Sequence, residues 1–332
     1  MKKKILMIGT GGTIASDKTE YGLAPELNTE DLLKFIPEAV GICEADCIQA
    51  YSLDSTNMRP SHWLGIANII KERYGDYDGF VICHGTDTMS YTAAALSYLI
   101  RNSKKPIVLT GSQKPIWFDG TDSKRNLTDA LIYATRGASG VYIVFNGRVI
   151  LGTRARKSYS KSFQAFSSVN YPYVAHIQDG KILQYITPVP DGETEFSDRL
   201  NENVGLLKLA PGISCEIVKF MLDRHDGLII ESFGVGGIPE YSDFYGIIRA
   251  AQESGKIIVI TTQVPNEGSD LAIYNVGNRL KSTLPILECY DMTTESAYAK
   301  LMWIMGKTSD FGEIQRLFYT PVSNDLLKGS EK

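Results

Sequence analysis

Three polar runs stand out because each combines hydroxyls with a small, turn-forming neighbourhood: Thr10-Gly11-Gly12-Thr13, Asp54-Ser55-Thr56-Asn57 and His84-Gly85-Thr86-Asp87-Thr88-Met89. Small hydroxyls, an aspartate and backbone N–H groups that glycine opens to close approach suit recognition of a zwitterionic amino acid. A glycine loop after a strand can also make a simple turn or cradle a phosphate. The dinucleotide pattern is incomplete, because Gly9, Gly11 and Gly12 are followed by Ile14-Ala15-Ser16 with no final glycine at the required offset. The Gly-Lys-Ser/Thr ending of a P-loop is absent. Each run alone also has an ordinary reading, since Ser, Thr, Asp and Asn are common helix caps and turn formers. Lys157 sits in a basic stretch with Arg154, Arg156 and Lys161, which by itself reads as a solvated surface.

For these runs to act together, the strands that carry them must lie side by side. Lys4 to Thr10, Phe80 to Thr86, Ile107 to Ser112 and Val141 to Asn146 are nearly continuous apolar runs, the pattern of strands buried on both faces of a parallel sheet. Open α/β sheets place ligands at the carboxyl ends of such strands, where the first and third polar runs fall. Helices are expected between them: one capped by Ser61 with Leu64, Ala67, Ile70 and Tyr74 on a stripe, and others over Tyr91 to Arg101 and Ser123 to Arg136. Asn146-Gly147 signals a tight hairpin, so the sheet is not purely parallel. The expected fold is α/β, with a larger N-terminal domain over 1–188 whose mostly parallel sheet has helices on both faces. A polar, turn-rich linker follows over 189–203, and the pattern restarts in a smaller, flavodoxin-like α/β domain over 204–332. Its elements are VGLLKL, a helix near Ile213 to Asp223, GLIIESFG, a helix near Asp243 to Ser254 and KIIVITTQ.

At 332 residues the chain exceeds one ordinary core, which agrees with two domains. With 43% hydrophobic and 22% charged residues it reads as a soluble globular protein. A net charge of -4 offers no general attraction to nucleic acid or anionic lipid, so neither is expected as a partner. The apolar run Ile5 to Ile8 is too short for a signal-peptide core. Cys43, Cys47, Cys83, Cys215 and Cys289 read as reduced structural thiols. His62, His84, His176 and His225 are scattered singly, so no metal site is expected.

TGGTIAS on the first strand together with HGTDTM on a later one resembles the paired signatures of the bacterial-type asparaginases. The resemblance runs over essentially the whole chain, through DSTNM, LTGS, LGTRARKS and SFGVGGIP to MTTESAYAKLMW. The short spacing, the LTGSQKPI segment and the expected lack of a signal peptide are similar to the cytoplasmic, type I branch. The resemblance implies hydrolysis of L-asparagine without metal or cofactor, a cytoplasmic location, and a homodimer or homotetramer. It implies Thr13 as the nucleophile that forms a β-aspartyl ester, with Thr86, Asp87 and Lys157 as a Thr–Lys–Asp constellation. It implies Ser55 as the holder of the substrate α-carboxylate, flanked by Asp54 and Thr56, and Asp87 as the holder of the α-ammonium. The family's tyrosine after the nucleophile falls at Leu23 by strict spacing, and Tyr21, two residues earlier, is assigned its role.

The chemistry sets its own conditions. Amide hydrolysis through an ester needs an activated hydroxyl, a base, a proton donor to ammonia and an oxyanion site. An aspartate beside Lys157 favours its ammonium form, so a proton relay through Thr86 is more defensible than a free amine. The backbone N–H groups of Gly12 and Thr86 are candidate oxyanion donors, and His84 is left structural. Two alternatives compete: a glutaminase-asparaginase or the amidase subunit of a tRNA-dependent amidotransferase, and a non-catalytic amino-acid or nucleotide-binding module. The amidotransferase reading expects a further domain ahead of the first strand, which here begins at Lys4.

Overall fold

The computed structural model describes residues 2–19, 22–327 and 329. Its chain divides into two compact units, Met1–Asp198 and Arg199–Lys332.

The main sheet of the first unit has eight strands: β1 Lys4–Gly11, β2 Glu44–Leu53, β3 Gly79–Cys83, β4 Pro106–Thr110, β5 Gly140–Phe145, β6 Arg148–Leu151, β7 Ala175–Gln178 and β8 Lys181–Gln184. Their order across the sheet is β8-β7-β6-β5-β4-β3-β1-β2. The five strands from β2 to β5 in that order are parallel, and β6 to β8 add on antiparallel. β3 and β4 are buried at every position, as their unbroken apolar runs require. Side chains alternate across a strand, so Ile5 and Met7 of β1 join one core with Leu127 and Leu131, while Leu6 and Ile8, equally buried, face the other side. Leu127 and Leu131 belong to the helix Ser123–Arg136, whose bounds agree with the sequence expectation. The helices Pro60–Arg73 and Met89–Leu99 pack on each other.

Three local expectations change. The helix expected over Tyr91 to Arg101 runs Met89–Leu99 and leaves Ile100–Arg101 as a strand. The first helix begins at Pro60, ahead of Ser61, because proline suits the first helical turn and His62 Nδ1 accepts the Arg59 N–H at 2.9 Å. Its buried face is Trp63, Ile66, Ala67 and Ile70. The sequence reading also passed over β2, an edge strand with little continuous burial. The β5–β6 hairpin forms as expected, with Asn146 at φ 50° and Gly147 at φ 73°. Residues 189–198 fall within the first unit, where Glu195–Phe196 pairs antiparallel with Ile100–Arg101.

The second unit holds a four-stranded, all-parallel sheet in the order Val204–Lys208, Gly227–Ser232, Ile257–Thr262, Leu287–Glu288. The helices Cys215–Arg224 and Phe244–Glu253 are capped by Ser214 and Asp243 and stand where the sequence placed them. Leu228, Ile230, Ile258 and Ile260 form its core with Val218, Leu222 and Ile248 of those helices. Burial of side chains of this size stabilises by about 1.5–3 kcal/mol each before chain entropy is counted. None of the five cysteines is in a disulfide. Burial pushes the thiols of Cys47, Cys83 and Cys289 up to about 12, which keeps them protonated and unreactive. Among the described residues no helix is long and apolar enough to cross a membrane.

Candidate active site

β1 ends in Gly11, and Gly11 and Gly12 turn the chain at φ 99° and 78° into a single 3-10 turn, Thr13–Ala15. These angles need glycine. A Cβ on Gly12 would stand 2.4 Å from both the Cα and the N of Gly85, and a Cβ on Gly85 would stand 2.6 Å from the Ser55 Cβ. The loops after β1, β2 and β3 therefore touch through positions where any larger residue would hold them apart. Thr88 donates its hydroxyl to the Ser55 carbonyl at 2.8 Å and so ties the second loop to the third. Asp54 caps the Ser55–Asn57 turn by accepting the Thr56 N–H at 2.9 Å.

The convergence leaves a cavity of about 200 Å³ lined by Gly12, Thr13, Ser16, Asp54, Ser55, Gly85, Thr86 and Asp87. A larger cavity of about 680 Å³, bordered by Arg125, Asp129 and His176, lies elsewhere in the unit. Size does not decide between them; the small one gathers hydroxyls, two carboxylates and glycine backbone at the carboxyl ends of parallel strands. Lys157 reaches it from the short strand Ala155–Lys157. Its ammonium donates to Thr86 Oγ1 at 2.7 Å and to Asp87 Oδ1 at 2.6 Å. The lysine side chain is 17% exposed and the aspartate 56%, so the pair stands at the cavity's mouth. The basic stretch around it is not a uniformly solvated face, since Arg154 is fully buried.

His84 stands inside the wall. Its Nδ1 is 2.7 Å from the Gly85 carbonyl, which can only accept, so Nδ1 carries the proton. Nε2 then accepts from Thr92 Oγ1 at 2.9 Å, and that hydroxyl accepts from Trp63 Nε1 at 3.0 Å. Burial holds the imidazole down at about 4, against the bond to Gly85, so it is neutral and fixes the turn that presents Thr86.

Of the residues singled out in the sequence, Thr13, Asp54, Ser55, Thr86 and Asp87 meet at the cavity, and Lys157 bonds to two of them. Thr56 does not line it; its hydroxyl bonds to Asp54 Oδ1 at 2.9 Å. Tyr21 lies outside the described residues. The Gly12 N–H, expected to face a substrate oxyanion, is instead donated to the Leu53 carbonyl at 2.9 Å, because the positive-φ turn folds it back onto the end of β2. Among the described residues no acceptor engages the Thr86 N–H. Sequence reasoning missed Ser16, which lines the cavity and donates to the Gly12 carbonyl at 3.1 Å. It also missed Gln113 and Asp122, which stand behind Thr86. Among the described residues no group of three His, Cys, Asp or Glu side chains has the arrangement to hold a metal ion.

Residues 4–190 match the family described as Asparaginase, N-terminal, and residues 203–318 match the Glutaminase/Asparaginase C-terminal domain. The chain is 38% identical over 331 residues to an L-asparaginase of Thermococcus kodakarensis, covering 97% of this chain and 99% of that protein. It is 34% identical over 339 residues to a glutamyl-tRNA(Gln) amidotransferase component of Pyrococcus abyssi, covering 97% of this chain and 76% of that protein. Among solved structures, the thermostable L-asparaginase from Thermococcus kodakarensis superposes with a TM-score of 0.91 at 38% identity, over 98% of this chain and 99% of that one. L-asparaginase I from Vibrio cholerae does so at 0.88 and 32% identity, over 98% and 100%. A probable cytoplasmic L-asparaginase from Campylobacter jejuni reaches 0.82 at 25% identity, over 96% and 99%.

Proposed function

The chain belongs to the asparaginase family, and on that premise we propose that it hydrolyses L-asparagine to L-aspartate and ammonia with Thr13 as nucleophile. The observation that carries this reading is the lysine shared between a hydroxyl and a carboxylate, Lys157 on Thr86 and Asp87, at the wall of a small cavity that Thr13 also lines. Asp87 takes the α-ammonium, and Ser55 takes the α-carboxylate with Asp54 beside it. Both ends of the substrate are then pinned, and the side-chain amide is delivered to Thr13. A bond forms from Thr13 Oγ1 to the amide carbon, the C–N bond breaks, and the threonine proton passes by way of Thr86 and Lys157 to the leaving ammonia. The Thr86 N–H supports the tetrahedral oxyanion. Water then hydrolyses the β-aspartyl ester and restores Thr13.

The contact of Lys157 with Thr86, at 2.7 Å, favours a second order of events in which Thr86 itself attacks. Rapid quenching with asparagine followed by peptide mapping separates the two: the aspartyl ester is expected on Thr13, and an ester on Thr86 makes Thr86 the nucleophile. The reading as a whole is tested by ammonia release from L-asparagine without added metal, cofactor or tRNA. Saturable binding with no ammonia would leave the chain a binding module. A cytoplasmic homodimer or homotetramer is part of the same proposal, supported by the likeness to the type I branch. Light scattering on the purified protein measures the assembly.

A further inference from the structure

Gln113 follows β4 and is not a lining residue of the cavity. Its backbone is fixed from below: the Gln113 N–H donates to both oxygens of Asp122 at 3.1 and 3.0 Å, and the Lys114 N–H donates to the same carboxylate at 3.1 Å. Asp122 is 7% exposed and is held in turn by Asn126 Nδ2 at 3.2 Å. The side-chain amide is fixed from above, where Nε2 donates to the Ser162 carbonyl at 3.1 Å. A carbonyl only accepts, so this bond decides which end of the amide is nitrogen. Oε1 therefore faces Thr86 Oγ1, at 3.4 Å.

The Thr86 hydroxyl has one hydrogen. Lys157 has donors only, so Thr86 Oγ1 accepts from it, and the hydroxyl hydrogen must point to some other acceptor. Oε1 of Gln113 is the acceptor placed to receive it. At 3.4 Å the contact is long for O–H···O, so it steers the hydrogen more than it binds it. An amide oxygen suits that task because it accepts a hydrogen bond yet is no base at neutral pH, so it receives the hydrogen without taking the proton.

We propose that Gln113 is a positioning residue for the hydrolysis. It aims the Thr86 hydroxyl hydrogen away from Lys157 in the resting site, and it ties the segment following Lys157 to the same loop through Ser162. The proposal rests on the amide-hydrolase reading. Gln113 sets the position from which the Thr86 hydroxyl enters the relay.

The test is steady-state kinetics on L-asparagine for wild type, Gln113→Leu, Thr86→Val and the double variant, with thermal melts to confirm folding. Gln113→Leu is expected to lower kcat about tenfold, the scale of one net hydrogen bond, while KM stays within about twofold because Gln113 does not line the cavity. In the Thr86→Val background, which has no hydroxyl to aim, the same substitution should change residual kcat by less than about twofold. A Gln113→Leu enzyme with wild-type kcat overturns the proposal while leaving the hydrolase reading intact. So does an equal tenfold loss in both backgrounds, which would place the effect away from Thr86. A wild-type protein that releases no ammonia from asparagine removes the hydrolase reading and this role with it.

Discussion

Both units carry parallel strands that end in polar residues, and in the first those ends converge on a cavity lined by hydroxyls. In the second unit, among the described residues, several of the polar ends bond within the unit. Ser232 donates to the Thr261 carbonyl, Glu231 accepts from Thr294 at 2.8 Å, and Glu288 accepts the Leu271 N–H and the Lys281 ammonium, each at 2.8 Å. Lys300 and Asp325 close the set as an ion pair at 2.7 Å with both side chains at 0% exposure. In the first unit glycines draw three loops together without bulk, and the Asp87 carboxylate remains 56% exposed at the mouth. Polarity at strand ends therefore does not mark a site. What marks one is polar groups held in place with capacity left for a ligand.

The largest expected effect comes from removing that capacity. Wild type is expected to prefer asparagine to glutamine, and Asp87→Ala should cut kcat/KM on asparagine by two or more orders of magnitude and flatten that preference. With both ends of the substrate pinned, one extra methylene displaces the glutamine carbonyl from Thr13, and an unanchored substrate can slide. An unchanged asparagine-to-glutamine ratio in the variant would show that Asp87 does not set the selectivity. Gly12→Ala attacks the convergence itself, since the new methyl meets the Gly85 backbone at 2.4 Å and the residue sits at φ 78°. About a hundredfold loss of kcat is expected, the scale of a misplacement near 1 Å; near wild-type turnover would show that the loops need not touch.

The second unit should respond in stability. Asp325→Ala leaves Lys300 buried without its carboxylate and is expected to cost about 3–5 kcal/mol in urea denaturation. Replacing both with apolar residues should recover most of that loss. A single variant as stable as wild type would mean that the pair is not held as described. His84 gives the smallest effect, on the order of a few kcal/mol. Its pKa is depressed from 6.5 to about 4 in the fold, so between those values the unfolded chain takes up a proton that the folded chain refuses. The stability it contributes is complete above pH 6.5 and is lost as pH falls toward 4. Denaturation midpoints measured across that window should decline less steeply in His84→Gln; parallel slopes would show that the histidine is not buried in its neutral form.

Much of this arrangement was legible from residue types. Continuous apolar runs gave β1, β3, β4 and β5, because a strand covered on both faces has little room for other residues. Asn146-Gly147 gave the hairpin. The Thr13, Ser55, Thr86 and Asp87 neighbourhoods followed from glycine and hydroxyls at strand ends. β2 was not legible, because an edge strand carries no unbroken apolar run. Its omission also hid the fate of the Gly12 N–H, which is captured by Leu53 at the end of that strand. Gln113 and Asp122 were hidden for a related reason. Their roles arise from contacts with Thr86 and Ser162, far away in the chain, and a glutamine in a loop carries no local signal of such a partner.

The central claim is that the cavity between the three loops is where amide hydrolysis occurs and that its two threonines do the work. Ammonia release from L-asparagine by wild type, Thr13→Ala and Thr86→Val, at matched circular dichroism, tests it most directly. The expected result is turnover in wild type and a loss of about two or more orders of magnitude in each variant. Near wild-type release by either folded variant would contradict the role given to that threonine, and release by both would place the chemistry elsewhere in the molecule.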